Sequence, residues 1–171
     1  MTTFIAFLRG INVGGNTILP MKDLVVLCTE LGFRDVKTYI NSGNVVFKSS
    51  ISEKAVTSKL EKILLVQMGK EISVIIRTSS ELESIIKNNP FPQANPSQVG
   101  VTLFAESVSR KMLEDIVIPG KEEVRMEGRE IYIHFPKGMG KSKIKLPASI
   151  IAGTVRNINT ITKLVQLSGD F

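Results

Sequence analysis

The 171-residue chain has one cysteine, one histidine and no tryptophan. The lone thiol, Cys28, excludes an intramolecular disulfide framework and fits a reducing compartment. The lone imidazole, His134, excludes a His-rich zinc site, and Cys28 cannot supply the remaining ligands. Aromatics are 6% of residues. Tyr39, Phe47 and Tyr132 are among the few on expected strands, and no Gly-Phe-Gly-Phe-Val run occurs, so a dedicated RNA-stacking sheet is weakly supported. Apolar runs reach only strand length, so none spans a bilayer and no membrane partner is expected. The first residues lack the basic segment, apolar run and cleavage site of a secretory leader, which makes the cytoplasm the expected location.

Carboxylates are missing from two long stretches, residues 1–22 and 131–169. The second carries Lys137, Lys141, Lys143, Lys145, Arg156 and Lys163. The formal net charge is +6, and this segregation of basic charge suggests an anionic partner. A solvated basic surface is the alternative. The lack of acids in these loops argues against paired-carboxylate or metal-assisted hydrolysis there, and no metal site is expected.

Periodicity predicts an α+β chain. "TFIAFL" reads as a largely buried strand. Pro20 and Asp23 suit the first turn of a helix whose apolar face is Met21, Leu24, Val25, Cys28 and Leu31, with Gly32 as terminator. "VKTYI" and "VVF" flank the turn "NSGN". Ser52 and Glu53 open a helix facing inward through Val56, Leu60, Ile63 and Leu64, and "ISVIIR" is the next strand. The order β-α-β-β-α-β predicts a ferredoxin-like half over residues 1–89. Ser80 and Glu83 form a capping-box pattern for a third helix. "NNPFPQANPSQ" then reads as a linker to a second, smaller α/β subdomain over residues 90–171. There "VGVTLFA" is a strand, "SVSRKMLEDIV" a short helix, and "EEVRME" with "EIYIHF" a hairpin turning near Gly128. Two C-terminal helices are expected, "SKIKLPASIIAG", broken by Pro147, and "RNINTITKLVQL", giving β-α-β-β-α-α.

Three loops carry the candidate chemistry. "RGINVGGN" follows a strand and precedes a helix, where free N–H groups favour anions. It fits neither the G-x-G-x-x-G dinucleotide pattern nor a Walker A loop. Arg9 offers a planar fork for phosphate, and Gly14 and Gly15 allow close backbone approach. "FPKGMGKSK" holds a Gly-Lys-Ser run between a strand and a helix, but Phe135 stands where a Walker loop needs its first glycine. An anion site using Lys141, Ser142 and Lys143 is the simpler reading. "GTVRNINT" supplies a cap from Thr154 or Asn157, which leaves Arg156 at a helix start, a poor place for a cation without an anion. A C-terminal carboxylate as its local partner is the alternative. "NSGN" is expected to be a simple hairpin turn at the end of the sheet opposite the Arg9 loop, so that the two need not form one site. His134 shares a strand face with Tyr132, with no acid or nucleophile adjacent in sequence.

Taken together, "FLRGINVGGNTI", "LCTELGFRDVKTYINSGNVVF", "GKSKIKL" and "GTVRNINTITKL" resemble the bacterial family of domain-of-unknown-function 1697. The resemblance covers nearly the whole chain. It implies an α+β architecture with a ferredoxin-like first half, and it implies no activity. The matching positions are Arg9, Gly10, Asn12, Gly14 and Gly15; Asn41 to Asn44; and Ser142, Lys143, Arg156 and Asn157. Ile158 stands where an aromatic is expected after "RN", which weakens a stacking platform there.

The expectation from sequence is a cytoplasmic protein binding a phosphate-bearing ligand, either a nucleotide-like small molecule or nucleic acid. The ligand set would be Arg9, Asn12, Gly14, Gly15, Lys141, Ser142, Lys143, Arg156 and Asn157. An enzyme acting on a small phosphorylated or carboxylated substrate, with His134 as acid–base group, is one alternative. A protein-interaction module with a basic face is the other. The sequence names no catalytic residue, cofactor or oligomeric state.

Overall fold

The computed structural model describes residues 1–169. It is mixed α+β with two four-stranded antiparallel sheets. The chain divides into two compact units, one of residues 1–83 with the chain from Lys163 on, the other of residues 84–162.

The first unit runs β1 (Thr2–Leu8), α1 (Met21–Glu30), β2 (Arg34–Tyr39), β3 (Asn44–Ser49), α2 (Glu53–Met68) and β4 (Val74–Thr78), with strand order β2-β3-β1-β4. β1 is central and buried from Phe4 to Leu8, which is why it reads as an unbroken apolar run rather than an alternating one. Phe4, Ala6 and Leu8 face a core completed by Leu24, Leu27 and Cys28 of α1 and by Val56, Leu60 and Leu64 of α2. Phe33 stacks on Phe47 with ring centroids 4.4 Å apart, tying the end of α1 to β3. Ser52 caps α2 by accepting from the Ala55 N–H at 3.2 Å, and Gly69 ends it in a left-handed conformation.

Helix α3 (Ser79–Lys87) follows β4 directly. Its capping box is Thr78 with Glu81: the Glu81 carboxylate accepts from the Thr78 N–H at 2.7 Å, and the Thr78 hydroxyl accepts from the Glu81 N–H at 3.2 Å. The expected Ser80–Glu83 box lies two residues too late, because both patterns have the right spacing and the strand's end selects the earlier one.

The second unit continues through β5 (Val99–Leu103), α4 (Lys111–Glu114), β6 (Glu123–Glu127), β7 (Glu130–His134), α5 (Ala148–Ile151), β8 (Thr154–Asn157) and α6 (Ile158–Ser168). Its strand order is β6-β7-β5-β8. The second half is therefore β-α-β-β-α-β with a further helix, the same topology as the first half. The expected helical "RNIN" is a correction: residues 154–157 pair with β5 as an edge strand, and α6 begins without an intervening turn. A second correction concerns Ser142 to Leu146. This stretch is not helical, and Lys145 exchanges backbone hydrogen bonds with Val117 at 2.9 and 3.0 Å. Helix α5 starts only after Pro147, whose missing N–H costs nothing at a helix start.

No helix among the described residues is long and apolar enough to cross a membrane.

Candidate functional site

The antiparallel register of β1 on β3 pairs Phe7 with Asn44, so the loop leaving β1 and the β2–β3 turn emerge at the same end of the sheet. This corrects the expectation that they lie at opposite ends. The physical reason is simple: a strand that ends beside the start of its antiparallel neighbour must share that edge with the neighbour's incoming turn. The Leu8 N–H donates to Gly43 O at 2.9 Å, and the Arg9 N–H donates to Ser73 O at 3.0 Å, which brings the loop before β4 to the same place.

Asn12 joins these segments. Its side-chain amide donates to Leu19 O and to Asn41 O, both at 2.8 Å, and its Oδ1 accepts from the Leu19 N–H at 2.9 Å. Its own N–H donates to Thr17 O at 2.6 Å. Asn12 is thus a clasp within the protein, and its amide is occupied before any ligand arrives. Gly43 fits the same junction tightly. A Cβ there would lie 2.7 Å from Ile11 Cδ1 and 2.9 Å from Leu8 Cβ, and its φ of +84° is left-handed.

Around the clasp the loop is open. Arg9, Gly14 and Gly15 are exposed, and a Cβ at either glycine would meet nothing within 4 Å. Both glycines have positive φ, at 65° and 74°. Among the described residues, neither glycine N–H meets an acceptor. Of the three non-glycine residues in the left-handed conformation among the described residues, Asp35 lies in β2 and the other two flank this junction, Asn12 at φ 55° and Ile40 at φ 50°. For asparagine this is common, whereas for a β-branched residue it is an outlier.

The second unit distributes its sequence-predicted residues differently. The 135–143 loop leaves the end of β7, and β8 ends beside the start of β5, with Val99 paired to His134 and Gly100 to Asn157. The loop and the Arg156–Asn157 pair therefore share one end of the sheet. Asn157 is in register with Gly100, but Arg156 does not share the face over which the loop packs. Met139 packs over Gly100 on the face that carries Ile133, whereas Arg156 is in register with Val101 and Tyr132 on the other. Asn157 accepts from the Thr160 N–H at 2.9 Å and caps α6, as one of the two expected caps. Thr154 is a strand residue whose buried hydroxyl meets no partner among the described residues.

Ser142 donates to Glu122 Oε1 at 2.7 Å and accepts from the Ile144 N–H at 3.2 Å. The Ser142 bond holds the Glu122 carboxyl below the usual carboxylate range, helped by nearby N–H groups and by the charge of Lys137. Sequence brings no acid near this loop, but the fold does. Lys141 and Lys143 remain exposed.

The Arg156 guanidinium is half-buried and donates to Val155 O at 2.9 Å, and burial pushes its pKa down to about 10. The alternative of a C-terminal carboxylate partner falls on residues outside those described. His134 lies against Phe91, with ring centroids 5.6 Å apart, and Arg125 stands 5.9 Å from the other ring partner's centroid, that of Phe91. Among the described residues no three His, Cys, Asp or Glu side chains converge.

Sequence reasoning missed three contributors. Asn41 completes the clasp from 29 residues away. Glu122 reaches Ser142 across 20 residues. Arg77, buried at the end of an otherwise apolar strand, donates to Ile76 O at 3.0 Å. Arg77 left a signal, a charge inside "VIIRT", and Asn41 one only through its place in the "NSGN" turn.

These segments also carry the chain's relationships. Residues 1–132 match the family described as Protein of unknown function (DUF1697). The chain belongs to the DUF1697 family. Among solved structures it is similar to the conserved bacterial protein SP0830 from Streptococcus pneumoniae, with 23% identity, a TM-score of 0.78 and 98% of each chain covered. At that identity the likeness shows the fold. No curated protein matches the chain. The DUF1697 match contains the whole Asn12 clasp, whereas His134, the 135–143 loop and β8 lie beyond it.

Proposed function

We propose that this DUF1697 protein is a cytoplasmic binding protein whose ligand carries phosphate, a nucleotide-like small molecule or a nucleic acid. The observation that carries the reading is the Asn12 clasp, which fixes the Gly-rich loop against the β2–β3 turn while leaving Arg9 and the Gly14–Gly15 backbone exposed. Backbone N–H groups aimed at water, beside an arginine and without a carboxylate in either clasped segment, suit an anion. A loop already fixed loses less conformational freedom on binding than a mobile one. We read the antiparallel β2-β3-β1-β4 sheet with its two helices as ferredoxin-like, which puts this loop at an open end of the sheet.

Within the ligand set expected from the sequence, Arg9, Gly14 and Gly15 are the contacts favoured. Asn12 acts by holding the loop, Ser142 is engaged with Glu122, and Asn157 caps α6. Lys141, Lys143 and Arg156 would add basic surface in the second unit.

A thermal-shift screen of nucleotides, sugar phosphates, inorganic phosphate and short oligonucleotides at fixed salt tests the reading. A ligand at 100 times its dissociation constant adds about 2.7 kcal/mol, or a melting shift on the order of 5–10 °C. The shift should shrink in Arg9→Ala. A flat screen, or a shift that Arg9→Ala leaves intact, rejects the assignment.

A further inference from the structure

Three aliphatic side chains around the clasp are exposed without an evident role in the fold: Val13 at 67%, Ile18 at 66% and Ile40 at 53%. Each is the chain neighbour of a clasped residue, namely Asn12, Leu19 and Asn41, so the Asn12 hydrogen bonds gather the three backbones at one place. Scattered exposed aliphatics are ordinary, whereas these three stand at positions whose backbone neighbours one side chain draws together. Ile40 also keeps a left-handed φ of 50° that a β-branched side chain disfavours and that glycine or asparagine would adopt freely. A turn selected for geometry alone would not place isoleucine there.

We infer that the ligand of this site is a nucleoside phosphate whose base lies on the Val13, Ile18 and Ile40 side chains while its phosphate meets Arg9 and the Gly14–Gly15 backbone. The inference rests on the phosphate-binding reading above and narrows it. A sugar phosphate or inorganic phosphate has no apolar face and would leave the three side chains in water. A flat aromatic base covers apolar surface and tolerates aliphatic contacts from separate turns. Charge agrees: the clasped segments Arg9–Pro20 and Ile40–Gly43 contain Arg9 as their only charged residue.

The test compares adenosine and guanosine monophosphates with ribose 5-phosphate and inorganic phosphate, by thermal shift and by calorimetry on the full chain. Three variants accompany the native protein: Val13→Ser, Ile18→Ser and Ile40→Asn, the last chosen because asparagine accepts the left-handed turn. The expected result is that at least one nucleotide binds on the order of tenfold more tightly than ribose 5-phosphate, and that the variants reduce this preference while keeping the weaker binding of the sugar phosphate. Equal binding of nucleotide and sugar phosphate overturns the inference and leaves phosphate binding standing. Nucleotide preference unchanged in all three variants overturns it as well. Binding to phosphatidylglycerol vesicles in place of nucleotides assigns the three side chains to a lipid surface and rejects the base. No binding of any phosphate removes both readings together.

Discussion

At the scale of single residues, Asn12 is worth more to the fold than its half-exposed position suggests. It satisfies two carbonyls and one N–H that would otherwise depend on water. Asn12→Ala should cost about 2–3 kcal/mol, which for a chain this long lowers the melting temperature by on the order of 5–10 °C. Asn12→Asp should be no better near neutral pH, because a carboxylate would face the Leu19 and Asn41 carbonyls. Gly43→Ala should destabilise by about 2 kcal/mol or more, through its left-handed φ and its contact with Ile11 and Leu8. Ile40→Gly should do the reverse and raise the melting temperature by a few degrees, since relief of a strained φ is worth about 1 kcal/mol. Cys28 gives a pH signature. Burial pushes its thiol up to about 12. The unfolded thiol ionises first, near its ordinary value of about 8.5. The unfolded state thus releases a proton that the folded state keeps, and stability falls as pH rises above about 9. Denaturant midpoints between pH 8 and 10 should fall more steeply in the native protein than in Cys28→Ala. Parallel slopes would show that the thiol is not protected. The window stops at 10 because Arg156, pushed down to about 10, acts with the opposite sign beyond it.

At the scale of elements, strands and helices with strong periodicity were legible, and those that depend on distant partners were not. β1, α1 and α2 announce themselves by an unbroken apolar run, by Leu24, Leu27 and Cys28, and by Ser52 before Val56, Leu60 and Leu64. Thr154 to Asn157 have no such signature. Four residues of mixed polarity become a strand because β5 offers a free edge, and the clearly helical sequence that follows draws the expected helix start too early. Ser142 to Leu146 is extended for a similar reason, through the Val117–Lys145 pairing. The site shows the same division. Arg9 and the glycines could be read locally, but the Asn12–Asn41 and Ser142–Glu122 contacts need the fold, and a wrong placement of one turn hid the first. Asn157→Ala should remove the α6 cap and cost about 1 kcal/mol. Amide exchange should be slowest in the central strands β1 and β3 and faster in β6, whose outward residues are exposed.

At the scale of the whole molecule, the same strand order occurs twice, yet the two units are not successive along the chain. α6 begins in the second unit and passes into the first; its Leu164 is fully buried, and the Ser168 hydroxyl lies 2.7 Å from that of Ser79. Leu164→Ala should therefore cost about 2–5 kcal/mol and lower the stability of the first unit, as read by exchange in β1 and β4. This arrangement bears on the order in which the molecule can be completed during synthesis. The segment from β1 to the start of α3 leaves the ribosome early, but the stretch of α6 that belongs with it follows only after all of residues 84–162. At ordinary elongation rates the gap lasts on the order of ten seconds. Throughout that time the nascent first unit must persist without its final helix, while the second unit can assemble around nearly all of its own residues.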